Sequence, residues 1–178
     1  MHIQENVSLK SYNTFGIDVP ASHFLEVRSV DTLREVRRRK DLPPPFVLSG
    51  GSNILLTAPL NALVLYINLR GREVIREDEG EVIIRAMAGE NWHELVMWAL
   101  EQGFGGIENL ALIPGKTGTA PIQNIGAYGV ELKDVFVACT ALDIKTGALK
   151  RFDREQCRFG YRDSFFKREG KGRFIILS

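Results

Sequence analysis

The chain is 178 residues long, enough for one domain or two small lobes, and its 44% hydrophobic and 25% charged composition is ordinary for a soluble globular protein. A formal net charge of +1 gives no global field to recruit nucleic acid or an anionic membrane. The apolar run Ala62-Leu-Val-Leu-Tyr-Ile67 is broken by Asn68, so no membrane span is expected, and residues 1–6 lack the basic start and apolar run of a secretory signal, which makes a cytoplasmic location the expectation.

The first twenty residues are irregular, with Asn13-Thr-Phe-Gly16 as the clearest turn signal. A strand is expected over 23–27 and a helix capped by Asp31 running to about Lys40, where Pro43-Pro-Pro45 stops it. Arg37-Arg-Arg39 has no interleaved aromatic residue and reads as a solvated face. Phe46-Val-Leu48 then runs directly into Ser49-Gly-Gly-Ser-Asn53 and a second apolar run, Ile54-Leu-Leu56. A strand opening into a Gly/Ser/Asn loop suits an anion, because successive backbone N–H groups form a nest and no Cβ blocks Gly50 or Gly51. It is neither the Walker loop nor the Rossmann fingerprint, and a hairpin-like turn fits these residues equally well.

Strands are expected over 63–67, 73–76 and 82–87. A helix then starts at Asn91, with Glu94 completing a capping-box pattern and Gly103 ending it. Trp92 lies on its apolar stripe and reads as core. Next comes the stretch with the most unusual composition, residues 109–129, where Gly115, Gly118, Gly126 and Gly129 alternate with Pro114, Pro121, Thr117, Thr119, Gln123 and Asn124. From Pro114 onward it has neither helical nor strand periodicity. It reads either as a shaped backbone surface offering N–H groups to something flat or anionic, or as a long surface loop.

A long strand is expected over 135–143, turned by Lys145-Thr-Gly147 into a second over 148–152, with Asp153 capping a short helical turn. Cys157-Arg-Phe-Gly-Tyr-Arg-Asp-Ser164 gathers two arginines, a tyrosine and an aspartate. The final residues, Arg173-Phe-Ile-Ile-Leu-Ser178, look like the opening of a strand, and the expectation is that the chain is truncated. Cys139 and Cys157 have no CxxC spacing, so reduced, partly buried thiols are expected. His93-Glu94 starts like a zinc-protease helix, but Met97 stands where the second histidine is required, and no metal site is expected.

Asn13-Thr-Phe-Gly16, Gly50-Gly-Ser-Asn53, Gly89-Glu-Asn-Trp92, Glu108-Asn-Leu-Ala-Leu-Ile-Pro-Gly115, Pro121-Ile-Gln-Asn-Ile-Gly-Ala-Tyr-Gly129 and residues 157–164 occur in this order. Together they resemble the N-terminal half of the UDP-N-acetylenolpyruvoylglucosamine reductase (MurB) family, of its longer-chain type. The resemblance implies an α+β, two-lobed FAD-binding module of the vanillyl-alcohol-oxidase/p-cresol-methylhydroxylase (PCMH) type. Its expected lobes are residues 1–70, a smaller α/β lobe, and 71–178, a larger α+β lobe incomplete at its C-terminus.

The implied chemistry is a flavoenzyme step of peptidoglycan precursor synthesis. NADPH reduces FAD, a hydride from flavin N5 reaches the enolpyruvyl β-carbon of the UDP-sugar, and protonation of the neighbouring carbon gives UDP-N-acetylmuramate. By motif, Ser49, Gly50, Gly51, Ser52 and Asn53 would bind the FAD pyrophosphate. Gly115, Thr119 and Ala120, with Gln123, Asn124, Gly126, Ala127 and Tyr128, would line the diphosphate and isoalloxazine. Arg162 matches the family's catalytic arginine; the residues alone allow an ion pair with Asp163 or Asp153 instead.

The family's general-acid serine, in a Gly-Ser-Phe-Phe-type segment, its assisting glutamate and its UDP-sugar domain have no counterpart in this sequence. Ser164-Phe-Phe166 belongs to the Tyr-Arg-Asp-Ser block and does not supply that serine. Lys116 stands where a small or apolar residue is usual, and the sequence allows it to face solvent or a phosphate. The expectation is therefore a module that is catalytically incomplete alone and prone to self-association. A stand-alone FAD- or nucleotide-binding module without its own catalysis is the alternative. Another oxidoreductase of the same FAD fold is disfavoured, because such enzymes have no need of the Gln-Asn-Ile-Gly-Ala-Tyr-Gly block.

Overall fold

The apolar runs around Phe24 and Val64 are nearly continuous, the pattern of strands buried on both faces, and they become the two inner strands of a small sheet. In the computed structural model, which describes residues 1–178, the chain divides into two compact units, Met1–Leu69 and Arg70–Ser178. The sheet of the first unit contains β1 (Gln4–Ser8), β2 (Pro20–Val27), β3 (Pro45–Leu48) and β4 (Leu60–Ile67) in the order β1-β2-β4-β3. β1 runs antiparallel to β2, whereas β2 and β3 both run parallel to β4, with Phe24 and Phe46 each in register with Val64.

Helix α1 (Val30–Arg38) joins β2 to β3. Its cap is Ser29 rather than Asp31: the Ser29 hydroxyl accepts from the Thr32 N–H at 3.2 Å. Asp31 instead lies in the first turn, where a carboxylate favours the positive end of the helix dipole, and it pairs with Arg34. The apolar core gathers Leu9, Val19, Phe24, Leu48, Leu56 and Val64, and the Tyr12 ring sits 4.7 Å from Phe24 and 4.9 Å from Tyr66. The expected second run, Ile54-Leu-Leu56, is not a strand; it contributes Leu56 to this core and leaves Leu55 exposed.

The second unit opens with a ribbon of β5 (Arg72–Asp78) and β6 (Glu81–Ala86), whose outer strand is fully exposed. Helix α2 (Trp92–Glu101) follows, capped by Asn91, whose Oδ1 accepts from the Glu94 N–H at 3.0 Å. Its buried face (Trp92, Leu95, Val96) meets Leu110, Ala120, Ile125 and Leu132, and the Trp92 indole N–H donates to the Leu110 carbonyl at 2.8 Å. Gly103 ends the helix at φ +77, with its N–H on the Leu100 carbonyl.

A short ribbon of β7 (Gly126–Ala127) and β8 (Val130–Glu131) leads to a three-stranded antiparallel sheet. There β9 (Ala138–Asp143) lies between β10 (Leu149–Asp153) and β11 (Phe174–Ile176). The strand expected from 135 begins only at Ala138, because Leu132–Asp134 closes into a 3-10 turn that Glu131 and Asp134 cap reciprocally. Asp153 caps α3 (Arg154–Cys157). Phe152, Phe166, Cys139 and Cys157 form the core beneath. Both thiols are free and buried, and hydrogen bonding to Cys157 together with burial pushes the Cys139 thiol far up, so Cys139 is not a ready nucleophile.

Asp143 closes the β9–β10 turn. Its Oδ1 accepts from the N–H groups of Lys145 (2.8 Å) and Thr146 (3.2 Å), and its Oδ2 accepts from Arg173 Nε and Nη2 at 2.9 and 2.7 Å. The Arg173 guanidinium, then the two backbone donors, hold this carboxyl below its ordinary range. A depressed folded value means that the stabilisation is present above the unfolded carboxylate value, near about 3.9. It is lost as pH falls through the folded value. Asp143→Asn should therefore melt below the native chain at pH 7, with the gap narrowing below about pH 4. Thermal melts across that range check this, and parallel Tm curves would exclude the linkage.

Candidate functional site

In the first unit the Ser49, Gly50, Gly51, Ser52, Asn53 loop joins two parallel strands, which rules out the hairpin reading. Gly51 is buried at φ +64, and a Cβ there would lie 2.0 Å from the Tyr12 carbonyl oxygen and 2.8 Å from Asn13 Cα. Only glycine permits that approach. The floor under the loop is the Asn13–Gly16 turn, which the sequence marks as a turn but not as part of a site. Asn13 Nδ2 donates to the carbonyls of Leu9 (2.7 Å) and Ile17 (2.9 Å), and its Oδ1 accepts from the Ile17 N–H. The Thr14 N–H in turn donates to the Gly51 carbonyl at 3.2 Å.

The Ser49 hydroxyl is buried and has no hydrogen-bond partner in the chain. Buried hydroxyls are rarely left so, and an anionic oxygen is a group that would satisfy it. The loop therefore fits a phosphate group: a backbone cradle, a close glycine approach and a waiting donor.

In the second unit the stretch from Gly115 is stitched along its length to the segment before and into α2. The Gly115 carbonyl accepts from the Trp92 N–H, Thr117 donates to the Glu90 carbonyl from both N and Oγ1, and the Gly118 N–H donates to Ala88. A Cβ on Gly118 would come within 2.5 Å of the Ala88 methyl. Thr119 Oγ1 donates to the Lys116 carbonyl at 2.7 Å, and Ala120 lies in the core. Glu90 is buried, and its carboxylate accepts from the Gly71 N–H at 2.8 Å. The reading as a long, loose surface loop is thus overturned. Lys116 is buried and does not extend into solvent.

Gln123 is half-buried, and Asn124 is fully buried at φ +44. Gly126 and Ala127 form β7, and Tyr128 and Gly129 make the two-residue turn to β8, both at positive φ. A tyrosine in the left-handed region is strained, and Tyr128 is also 88% exposed. Tyr128→Gly should therefore raise the unfolding free energy by about 0.5–1 kcal/mol while deleting an exposed ring at the site. A lowered midpoint in denaturant would show that the ring contributes packing rather than strain.

Arg162 sits on a second tight turn, closed by reciprocal Gly160–Asp163 backbone hydrogen bonds, and is itself at φ +51. The two turns meet: Arg162 Nη2 donates to the Gly126 carbonyl at 2.5 Å. The ion pair that the sequence allows is not formed, since Asp163 pairs with Arg168 and Asp153 caps α3. Ser164 is fully buried and donates to the Ile122 carbonyl at 2.7 Å. Thus Gly126 and Arg162, 36 residues apart, are brought into contact with Asn124 beside them. Residues 49–53 belong to the other unit. Sequence reasoning assigns no role to Glu90 or Ser164, because a buried polar side chain that binds backbone carries no local signal.

Three comparisons bear on this arrangement. The family described as FAD binding domain matches residues 21–153. The chain is 51% identical over 178 residues to the UDP-N-acetylenolpyruvoylglucosamine reductase of Flavobacterium johnsoniae, covering 100% of this chain and 53% of that protein. It is 52% identical over 180 residues to the reductase of Pseudomonas aeruginosa, covering 99% of this chain and 52% of the relative. Among solved structures it resembles the crystal structure of UDP-N-acetylenolpyruvylglucosamine reductase (MurB) from Thermus caldophilus, with a TM-score of 0.75 and 27% identity, over 99% of this chain and 60% of the other. The chain spans about half the length of the curated relatives it matches. No helix is long and apolar enough to cross a membrane.

Proposed function

We propose, because the chain belongs to the FAD binding domain family, that it is the flavin-holding part of an NADPH-dependent oxidoreductase converting UDP-N-acetylglucosamine enolpyruvate to UDP-N-acetylmuramate. The observation that carries this reading is the docking of the Arg162 turn on the Gly126 carbonyl, which fixes a permanent cation beside the glycine-rich stretch that matches the reductases. FAD, when bound, supplies the two electrons drawn from NADPH.

The chain's own residues then bind and orient. Ser49, Gly50, Gly51, Ser52 and Asn53 take the pyrophosphate through backbone N–H groups and the unsatisfied Ser49 hydroxyl. Gly115 and Thr119 offer main-chain groups to the diphosphate, Ala120 shapes the wall from the core side, and Gln123, Gly126, Ala127 and Tyr128 line the isoalloxazine. Asn124 contributes backbone only, since both ends of its amide are engaged inside the protein.

Addition to the enolpyruvyl β-carbon pushes charge onto the substrate carboxylate. The planar guanidinium of Arg162 can fork onto both oxygens. A cytoplasmic location accompanies this reading, supported by two free, buried thiols. Self-association through exposed Val74, Ile75, Val137 and Leu149 is part of it as well.

FAD titration of the purified chain, followed by visible absorption with light scattering on the same samples, tests the proposal. One FAD per chain, with a perturbed flavin spectrum and a particle mass above 20.0 kDa, is expected. A spectrum indistinguishable from free FAD at saturating concentration would overturn the cofactor assignment, and a mass that stays at the monomer value would remove self-association.

A further inference from the structure

The side chain of Asn124 is fully buried, in a run that also holds buried Ile125 and Gly126 before it emerges at exposed Tyr128. Its Nδ2 donates to the Gly160 carbonyl and its Oδ1 accepts from the Lys133 N–H, each at 3.0 Å. Gly160 is the first residue of the turn that holds Arg162 in the left-handed region. Beyond the turn, fully buried Ser164 donates to the Ile122 carbonyl and accepts from the Phe166 N–H. The turn is therefore tethered on both sides of Arg162 to the same backbone run, at Asn124 and at Ile122. The arginine itself is exposed; its Nη2 donates to the Gly126 carbonyl at 2.5 Å and its guanidinium lies 5.8 Å from the Tyr161 ring centre. An exposed arginine has many rotamers, so its aim depends on the backbone that carries it.

We infer that Asn124 is a positioning residue. Its carboxamide clamps the Gly160–Asp163 turn to the glycine-rich stretch and so fixes Arg162 over the Gly126 carbonyl, without touching cofactor or substrate. This rests on the proposed role of Arg162, but the clamp is measurable in the chain without any ligand.

The variant that isolates the donor is Asn124→Asp, which keeps the acceptor for Lys133 and exchanges the amide donor for a group that donates only when protonated. Backbone amide exchange and the Arg162 side-chain N–H signal are read by NMR across a pH series, with exchange corrected for its intrinsic pH dependence. The Arg162 signal is assigned by its loss in Arg162→Lys. As the aspartate ionises, Gly160 and Asp163 amides should exchange about tenfold faster or more, and the slowly exchanging Arg162 signal should vanish. Amides of β9 and the same signals in the native chain should not follow that transition. Lowering the pH should restore the native pattern.

Should Asn124→Asp not fold, Ser164→Ala probes the other tether and should loosen the turn while β9 stays protected. Unchanged turn protection and an unchanged Arg162 signal in the folded variant overturn the clamp. No FAD binding by the native chain, together with the expected NMR response in Asn124→Asp, defeats the cofactor reading and leaves the clamp standing. The reverse pattern, normal FAD binding with an unresponsive turn, defeats the clamp alone.

Discussion

A Gly51→Ala chain is expected to lose most of its affinity for FAD and much of the stability of its first unit. The added methyl would lie 2.0 Å from the Tyr12 carbonyl oxygen and 2.8 Å from Asn13 Cα, both backbone atoms. Neither can easily retreat. Tyr12 is held by its ring contacts with Phe24 and Tyr66, and Asn13 by three hydrogen bonds. The loop must move instead, and with it the cradle and the Ser49 hydroxyl. A left-handed non-glycine costs about 1–2 kcal/mol, and forced overpacking a further ~1–3 kcal/mol. The sum, about 2–5 kcal/mol, is a large share of a typical folding margin of roughly 5–15 kcal/mol. Urea unfolding and FAD titration below the unfolding midpoint check both halves. Native values for both would mean that the floor yields and that the close approach is not required.

The second large effect concerns chemistry. In a chain completed with the half that its reductase relatives carry, Arg162→Ala should slow flavin reoxidation by the enolpyruvyl substrate about a hundredfold or more, the loss of ~3 kcal/mol that follows removal of an oxyanion partner. Arg162→Lys keeps the charge but loses the planar fork and should recover only part of the rate. FAD affinity should stay near native in both, since the guanidinium donates its hydrogen bond to the Gly126 carbonyl. Single-turnover kinetics separate this step from binding. A native rate in Arg162→Ala takes the arginine out of the chemistry.

Much of the fold is legible where the signal is local. Asn91 with Glu94, Gly103, the Lys145-Thr-Gly147 turn and Asp153 each mark a boundary through their own backbone preferences, and the structure places caps and turns there. What fails is what depends on distant pairing. Phe46-Val-Leu48 before a Gly/Ser loop suits a hairpin as well as a parallel crossover, and the choice is made by a partner such as Val64, far along the chain. Asp31 looks like a cap, but Ser29 takes the position, two residues earlier, because its hydroxyl reaches the Thr32 N–H.

The site divides in the same way. Its glycines are visible because backbone geometry is written in composition; Gly51 and Gly118 have no room for a methyl. Asn124 shows the limit. A carboxamide in a glycine-rich run has the chemistry of a ligand contact, and only its full burial between Gly160 and Lys133 shows that its side chain faces inward. The Arg162–Gly126 contact spans 36 residues and is invisible to any local pattern.

The strand order β1-β2-β4-β3 also has a consequence in time. β4 is the last of the four to leave the ribosome, yet it occupies an inner position between β2 and β3. Until it is inserted, those two strands have no neighbour on their facing edges, and only the β1–β2 pair can zip from local contacts. Parallel pairing across such a separation must first bear the loop-closure entropy, so it is intrinsically slow. The nascent unit therefore passes through an interval with open, aggregation-prone edges. The 49–53 loop is the connection that β4 pulls shut. Its ordering is set by the arrival of the last strand rather than by the loop's own sequence.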